Sequence, residues 1–410
     1  MAATLAISRS LSFYENAVFG LLSKMDKGRL HVTLHTGESV TLGDGAGNVE
    51  ADIKINSPGF FKRCVLYGDI GFGEAYVDGD WDTGSITDVI KWFLLNIDNA
   101  PVSGGATQAT LNLLKFFNRL QHWGRANNLD GSRKNISDHY DLNNDFFSLW
   151  LDPSMTYSSA YFEQDTMTLE EAQRAKYRRL CKQMHLRPGL EVLEIGSGWG
   201  ANAMYMASEF GCNVTSITIS EEQCKLATER VRAAGLEGQV KIMLEDYRKI
   251  KGQFDRVVSV EMLEAVGDEF LDIYFQKCTD LLRRDGFLAL QVITSPDSRY
   301  DSLRKGVDWI QKHIFPGSLL PSVGRINEAV NRAGDLSLID LKDMGRDYAR
   351  TLAAWRTNFN GQSAEISKLG FDERFLRKWN YYLCYCEAAF SMRNINVMQL
   401  LYSRPNNPNW

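Results

Sequence analysis

The sequence lacks any uninterrupted run of about 18 apolar residues, the length that a membrane-spanning helix needs. Histidine is scarce, with 6 residues in 410, and the formal net charge of −5 leaves no excess of positive charge. Nucleic-acid-binding proteins are normally basic overall, so no nucleic-acid partner is predicted. These absences favour a protein that does not cross a membrane, and they leave open a local basic face that contacts anionic lipid.

Cysteine is also sparse. The 7 cysteines are scattered, odd in number and mostly set in apolar surroundings, which predicts reduced core thiols and no disulfide framework. Cys384 and Cys386 form a C-x-C pair, but no second pair or nearby histidine completes a tetrahedral site, so no metal is predicted. The first residues lack both a long apolar core and a cleavage-type site. We therefore expect a cytoplasmic protein.

The first part of the chain predicts a small α+β domain at residues 1–125. Short segments of alternating polar and apolar residues over 28–60 indicate strands. A glycine-rich segment then leads into a helix from about Ser85, and helix dominates to about Arg125. The polar stretch at 125–135 has the composition of a linker.

From Glu191 onward, five short apolar strands alternate with helices of about 10–15 residues. This alternation is typical of a parallel, doubly wound α/β sheet of the Rossmann-like kind. Residues 126–410 are therefore predicted to form a second domain, with insertions over 296–326.

A glycine-rich turn follows the first of these strands and contains Glu194, Gly196, Gly198 and Gly200. Small residues between a buried strand and a helix let a ligand approach the backbone closely. The spacing departs from the dinucleotide pattern G-x-G-x-x-G, and no phosphate-binding lysine follows. The alternative is a tight turn without a ligand. The E-x-G-x-G-x-G form resembles the first motif of class I methyltransferases, in which the glycines make room for the methionine part of S-adenosylmethionine.

Two further strand ends carry polar side chains. Thr218 closes the second strand and Gln223 follows it, where the ribose of the cofactor should lie. Asp246 ends the third strand and can accept a hydrogen bond from the adenine amino group, and Tyr247 can cover the ring. The carboxyl ends of parallel strands bind ligands in open α/β sheets, although Asp246 alone would be read as a helix cap.

Motifs on both sides of this core resemble the cyclopropane fatty acid synthase family, and they occur in the same order from about residue 30 to Arg404. LQVITSP and EMLEAVG resemble its plant-type and actinobacterial branches, and the N-terminal region resembles a lipid-binding-like accessory domain. The matching segments are GEAYVDGDW at 73–81, HYDLNNDFF at 139–147, LDPSMTYSSAY at 151–161, VEMLEAVG at 260–267, IFPGSLLPS at 314–322, and Asp347-Tyr348 followed by Thr351, Leu352 and Trp355.

The resemblance implies that the π electrons of a cis alkene in a fatty acyl chain attack the sulfonium methyl group. The resulting carbocation then loses a proton from the new methyl group and closes a cyclopropane. Such a site must stabilise positive charge, exclude water and supply a base. Aromatic faces attract cations, although core packing is the better interpretation for any single ring. The candidate rings are Trp309, Phe315, Trp355, Phe359, Trp379, Tyr381, Tyr382 and Phe390.

In the family, the base is a bicarbonate ion held by a glutamate, a histidine, a tyrosine and the backbone near a cysteine. Glu264 and Tyr348 match the glutamate and the tyrosine. The cysteine position holds Ser159, and the histidine position is Gln291. Serine can supply the same backbone contact, and glutamine can donate a hydrogen bond but no titratable proton. These departures put both bicarbonate and the cyclopropane product in question.

The resemblance also assigns Tyr157 and Ser158 to the cofactor, and it suggests a homodimer. The acyl chain is expected on a phospholipid, reached by peripheral contact with the membrane. The alternatives are a methyl- or methylene-branching enzyme on the same substrate, an N-methyltransferase of small amines, and a non-catalytic lipid-binding protein. A basic stretch could dock on anionic lipid or simply be a solvated helix face. It contains Arg174, Lys176, Arg178 and Arg179.

Overall fold

The computed structural model describes residues 10–97 and 144–409. The predicted linker at 125–135 and the first five residues of the 139–147 motif lie outside these ranges. The chain divides into two compact units. The first comprises Met1–His122, Gly306–Ile314 and Asn360–Asn394, and the second comprises Trp123–Lys305, Phe315–Phe359 and Ile395–Trp410.

In the described residues the helices, numbered in chain order, are α1 Phe13–Leu22, α2 Gly59–Val77, α3 Ile86–Leu95, α4 Asn144–Ser148, α5 Leu169–Gln183, α6 Ala201–Phe210, α7 Glu221–Ala233, α8 Leu271–Leu281, α9 Asp297–Leu303, α10 Trp309–His313, α11 Val323–Ala333, α12 Gly345–Gly361, α13 Ser363–Lys368 and α14 Glu373–Ser391. Across 10–97 and 144–409, no helix has both the length and the apolar character required to cross a membrane. The strands are β1 Arg29–Thr33, β2 Ser39–Leu42, β3 Glu50–Ile55, β4 Trp81–Asp82, β5 Glu191–Ile195, β6 Asn213–Thr218, β7 Val240–Leu244, β8 Phe254–Val260, β9 Leu282–Thr294, β10 Ser337–Asp343 and β11 Asn396–Ser403.

The first unit contains a four-stranded mixed sheet in the order β2-β1-β3-β4. The strands predicted over 28–60 are confirmed as β1, β2 and β3, each with alternating burial. The glycine-rich segment after them is largely helical, which the sequence pattern did not predict, because α2 buries Phe60, Phe61, Ile70 and Phe72. Burial of these side chains outweighs the low helix propensity of the glycines, and the helix kinks at Gly68, where φ is +58°.

The second unit contains a seven-stranded sheet in the order β10-β11-β9-β8-β5-β6-β7. The five predicted strands are confirmed as the parallel set β5 to β9. Two further strands, β10 and β11, extend the sheet antiparallel to β9 and were not predicted. Apolar side chains cover both faces of the central strands, as expected for strands buried between two helix layers. The fold is the doubly wound, Rossmann-like sheet that the sequence pattern predicts.

The parallel strands bring the predicted polar positions to one edge of this sheet. Gly196, Thr218 and Asp246 stand at or just beyond the carboxyl ends of β5, β6 and β7. Glu261 directly follows β8, and Gln291 lies near the end of β9. This edge is where open α/β sheets bind their ligands.

Candidate active site

The turn after β5 combines left-handed backbone with free space. The N–H groups of Gly196 and Ser197 both donate to the Ile217 carbonyl of β6 at 2.9 Å, which fixes the turn against its neighbouring strand. Gly196, Gly198 and Gly200 have φ values of +98°, +48° and +84°. A methyl group added at Gly198 would meet no atom within 4 Å. The turn therefore leaves room for a ligand beside Gly198, as the sequence motif predicts.

Glu194 lies beneath this turn with only 2% of its surface exposed. Asn202 of α6 donates to its carboxylate at 2.8 Å, and Ser216 of β6 donates at 2.5 Å. Burial raises the pKa of Glu194 to about 7, although these two hydrogen bonds oppose the shift. Its carboxylate joins β5, β6 and α6, so it shapes the glycine turn from below.

The next two strand ends are also built from paired polar groups. The Thr218 hydroxyl donates to the Gln223 side chain at 2.9 Å. Asp246 accepts two hydrogen bonds from the Arg248 guanidinium, at 2.8 and 2.7 Å. Burial opposes ionisation of Asp246, but the bonds from Arg248 outweigh it and lower the pKa. Tyr247 stands beside this pair, and the sequence analysis did not single out Arg248.

The segment that carries Tyr157 and Ser158 is held by two side chains that were not predicted from sequence, the buried Gln173 and the half-buried Arg230. Gln173 of α5 donates to the Ser158 carbonyl at 2.9 Å. Arg230 of α7 donates to the carbonyls of Ser154 and Trp199, both at 2.9 Å. These bonds tie the segment to the glycine turn, since Trp199 lies within that turn. Neither residue could have been found from sequence, because burial of Gln173 on a charged helix is visible only in the structure.

Three of the four predicted catalytic residues meet at Glu261, a residue outside the predicted set. The Ser159 N–H donates to its Oε1 atom at 2.8 Å. The Gln291 Nε2 atom donates to the same oxygen at 2.7 Å. The Tyr348 hydroxyl also hydrogen-bonds this carboxylate. Gln399 of β11 donates to the Gln291 Oε1 atom at 3.0 Å, which orients the amide so that its nitrogen faces Glu261.

Glu261 has unusual backbone geometry for a residue with a side chain. Its φ is +48°, in the left-handed region that favours glycine. Residues held in this region cost about 1–3 kcal/mol and cluster at functional sites. Burial raises the pKa of its carboxyl group, and hydrogen bonds from Gln291, Ser159 and Tyr348 oppose that shift.

Glu264, the predicted catalytic glutamate, has different surroundings. It lies in the single helical turn Leu263–Ala265 and is 8% exposed. The Ile293 N–H donates to its Oε1 atom at 2.5 Å, and its Oε2 atom has no protein hydrogen bond among the described residues. Burial, with a further contribution from the Glu261 charge, raises its pKa to about 8. At neutral pH Glu264 is therefore mainly a neutral carboxylic acid.

Aromatic rings connect the glycine turn to Tyr348. The ring centroid of Tyr157 lies 5.4 Å from that of Phe147 and 5.2 Å from that of Trp355. Phe147 in turn lies 5.2 Å from Trp199, and Trp355 lies 6.0 Å from Tyr348. Of the eight rings proposed from sequence, only Trp355 is in this set. Five of the others lie buried in the first unit: Trp309, Trp379, Tyr381, Tyr382 and Phe390.

The basic stretch, for which a lipid-docking face and a solvated helix face were the two alternatives, is not one exposed face. The prediction is wrong for Lys176, which is fully buried and donates to the Ser158 Oγ atom at 2.7 Å. Each arginine of the stretch is paired with an acidic side chain: Arg174 with Glu209, Arg178 with Glu163 and Arg179 with Asp340.

All seven cysteines are free thiols. Within residues 10–97 and 144–409, no cluster of three or more histidine, cysteine, aspartate or glutamate side chains is arranged to hold a metal ion.

Comparison with known proteins identifies relatives over most of the chain. The sequence model of the family described as mycolic acid cyclopropane synthetase matches residues 127–400. The chain is 39% identical over 362 residues to the cyclopropane-fatty-acyl-phospholipid synthase of Escherichia coli, covering 87% of this chain and 89% of that protein. It is 38% identical over 365 residues to a tuberculostearic acid methyltransferase of Mycobacterium tuberculosis, covering 85% and 82%.

Solved structures are similar in fold. A mycolic acid cyclopropane synthase crystallised with S-adenosylhomocysteine is 30% identical, has a TM-score of 0.62 and covers 66% of this chain and 98% of its own. The cyclopropane synthase MmaA2 of Mycobacterium tuberculosis gives the same TM-score and coverage at 28% identity.

Proposed function

This chain belongs to the mycolic acid cyclopropane synthetase family of S-adenosylmethionine-dependent methyltransferases, and from that premise we propose that it converts the cis double bond of an unsaturated phospholipid acyl chain into a cyclopropane. The relative of 39% identity carries the name of this activity and aligns with 87% of the chain. The observation that supports the chemistry is the convergence of Ser159, Gln291 and Tyr348 on Glu261.

The edge of the sheet fits S-adenosylmethionine, which supplies an electrophilic methyl group when bound. The open space at Gly198 suits close approach by the cofactor. In our proposal Glu194, Gly196 and Gly200 shape the turn around the methionine part of the cofactor. Tyr157 and Ser158 contact the cofactor from the preceding segment. The ribose and adenine contacts come from Thr218, Gln223, Asp246 and Tyr247. Because the Ser158 Oγ atom accepts from Lys176, its own proton is available for the carboxylate of the methionine moiety.

Glu261 is the proposed base. Its carboxylate is bonded by three of the four groups that the family resemblance assigns to a bound bicarbonate ion, all except Glu264. A second anion there would face a carboxylate that already occupies these donors, and like charges at close range repel each other. Bicarbonate therefore does not fit this site. We propose that Glu261 replaces it and that the enzyme needs no added bicarbonate.

In the proposed reaction, aromatic side chains stabilise the carbocation and Glu261 removes the proton. The alkene π electrons would form a bond to the transferred methyl carbon as the bond from that carbon to sulfur breaks, with its electron pair kept by sulfur in the leaving S-adenosylhomocysteine, and this leaves a carbocation on the neighbouring alkene carbon. The rings of Tyr157, Trp355 and Tyr348 exclude water and offer their electron-rich faces to the cation. Glu261 accepts a proton from the new methyl group, and the electrons of that C–H bond form the third bond of the ring. The proton ends on the Glu261 carboxylate.

Phospholipid as the carrier and the membrane as the place of reaction belong to the same proposal. An acyl chain in a bilayer reaches the cofactor only if the protein contacts the lipid surface. A homodimer is also part of the proposal, supported by the family resemblance alone.

A second product is favoured by one observation. A relative of almost equal identity is named a methyltransferase of tuberculostearic acid and not a cyclopropane synthase. A methylene-branched chain, or a methyl-branched chain that keeps a double bond, would arise from the same first bond if the carbocation lost a different proton after a hydride shift, whereas a saturated methyl branch would also need a separate reductant. Glu261 could accept that proton as well.

Purified protein incubated with S-adenosylmethionine and vesicles of a cis-monounsaturated phospholipid tests the proposal. High-field cyclopropyl protons in the NMR spectrum of the released fatty acids are the expected result. Olefinic or methyl-branch signals would replace the cyclopropane by the second product. Absence of any transfer to lipid, in protein that binds the cofactor, would overturn both.

A further inference from the structure

Lys176 is a buried cation that the proposed reaction uses only through its hydrogen bond to the Ser158 hydroxyl. It lies in α5, a helix with several exposed charges, yet none of its surface is accessible. Among the described residues, its ammonium makes one hydrogen bond, to the Ser158 Oγ atom at 2.7 Å, and has no carboxylate oxygen within 4.0 Å. Burial of an ammonium group without a paired charge is strongly unfavourable. A side chain kept under these conditions needs a compensating function.

Three acidic groups act on Lys176 through space, and Glu261 contributes most. Asp152 and Glu194, like Glu261, have hydrogen-bond partners of their own. Asp152 accepts from the Ser154 N–H at 3.0 Å and from its hydroxyl at 2.5 Å. Glu194 is bonded to α6 and β6, as described above. Glu261 is the one of the three whose proposed chemistry depends on carrying a negative charge.

Two consecutive residues link the cation to this carboxylate. Lys176 donates to the side chain of Ser158, and the backbone N–H of Ser159 donates to Glu261. The segment therefore contacts Lys176 through Ser158 and the Glu261 carboxylate through Ser159. Movement of the ammonium would displace the segment that holds the carboxylate.

We infer that Lys176 is the buried counter-ion that holds Glu261 as a carboxylate, and thus a positioning residue for the base. This inference rests on the proposed function of Glu261. It also explains why Lys176 lies on a basic stretch without belonging to an exposed face.

The charges around the pair have consistent signs. Burial raises the pKa of Glu261, and Lys176 is among the groups that lower it. Burial lowers the pKa of Lys176 to about 7, and the charges of Glu261, Asp152 and Glu194 oppose that shift. The remaining titratable groups that face the pair are Tyr177, Glu264 and Tyr348. Loss of the Lys176 charge should therefore raise the pKa of Glu261 further, so that a larger fraction of the base is protonated at neutral pH.

The test is the pH profile of kcat in the full-length protein, measured for the wild type, Lys176→Met and Lys176→Gln. Glutamine keeps a hydrogen-bond donor without the charge. We expect both variants to lose about 10- to 100-fold of kcat at pH 7 and to regain activity at alkaline pH, with the acid limb displaced upward. KM for S-adenosylmethionine should change by less than about threefold in Lys176→Gln, which keeps a donor for Ser158, and should rise further in Lys176→Met, which removes that donor. Arg174→Met, at an exposed position of the same helix, should match the wild type.

A double variant separates this role from a structural one. If Lys176 acts through Glu261, Lys176→Met should cause no further loss of kcat in a Glu261→Gln background. A loss of equal size at every pH, or one that adds fully to the Glu261→Gln effect, would overturn the inference. An unshifted acid limb in Lys176→Gln would do the same. Full activity of Glu261→Gln would instead overturn the proposed base itself, whatever Lys176 does.

Discussion

Two turns at the same edge of the second unit's sheet both contain backbone with positive φ, but one has glycine at these positions and the other has glutamate. The turn after β5 reaches positive φ values with Gly196, Gly198 and Gly200, and the turn after β8 reaches a φ of +48° with Glu261. Glycine adopts this geometry without strain and leaves space, which suits a cofactor. Glutamate adopts it at a cost and adds a carboxylate, which suits a base. The residue type at the left-handed positions thus distinguishes the two turns: glycine after β5 suits cofactor binding, and glutamate after β8 suits proton transfer.

The largest expected effect separates the two glutamates of the β8 turn. Glu261→Gln should lower kcat by about 10²–10⁴-fold, the range typical of a lost general base. Glu264→Gln should lower it by less than about fivefold, because Glu264 is mainly neutral at pH 7 and glutamine resembles a protonated carboxyl. Single-turnover methyl transfer from labelled S-adenosylmethionine measures both. A reversed order would transfer the role of base to Glu264.

The β5 turn is tested by filling its open space. Gly198→Ala places a methyl group where no atom now lies within 4 Å and where we propose the cofactor binds. We expect KM for S-adenosylmethionine to rise about 10-fold with kcat less affected, as for lost uniform binding. Gly235→Ala is the matched control, since Gly235 also has a positive φ, +68°, and open space but lies after α7. If KM rises equally in both variants, the rise reflects backbone strain and not lost space for the cofactor.

The smallest effect concerns stability and pH. The pKa of Glu264 is raised to about 8 in the folded state, from an ordinary value near 4.5. Between these values the folded protein holds a proton that the unfolded chain releases, so Glu264 makes stability fall as pH rises from about 4.5 to 8. Over this pH range the free energy of unfolding should fall by about 1–3 kcal/mol less in Glu264→Gln than in the wild type. This is smaller than the full pKa shift of one group implies, because coupled groups titrate over the same range. Thermal melts across this pH range measure the difference, and parallel curves for the two proteins would contradict it.

Sequence patterns predicted the parts of this molecule that depend on local order. The strands and helices that alternate after Glu191, and the glycine turn, could be predicted because each depends on a pattern of neighbouring residues. Helix α2 was missed because its burial outweighs its glycines, and β11 was missed because it pairs with the distant β9. The grouping of Asn360–Asn394 with the first unit likewise depends on contacts far apart in the chain.

The site shows the same division. Glu261 and Glu264 lie in the same sequence motif, and no neighbouring residue distinguishes the role of one from that of the other. Glu261 is identified by donors from Ser159, Gln291 and Tyr348, which are remote in sequence. Lys176 was grouped with exposed arginines because charge patterns do not reveal burial.

The most direct test of the central claim, that Glu261 replaces bicarbonate as the base, is methyl transfer to lipid in bicarbonate-depleted buffer, followed by a bicarbonate titration. The companion variant is Glu261→Gly, which suits the left-handed backbone and leaves the donors of Ser159, Gln291 and Tyr348 around an empty space. We predict wild-type activity within about twofold of its value with bicarbonate, and rescue of Glu261→Gly by added bicarbonate of at least about 10-fold. Wild-type activity that is lost on depletion and restored by bicarbonate would contradict the account.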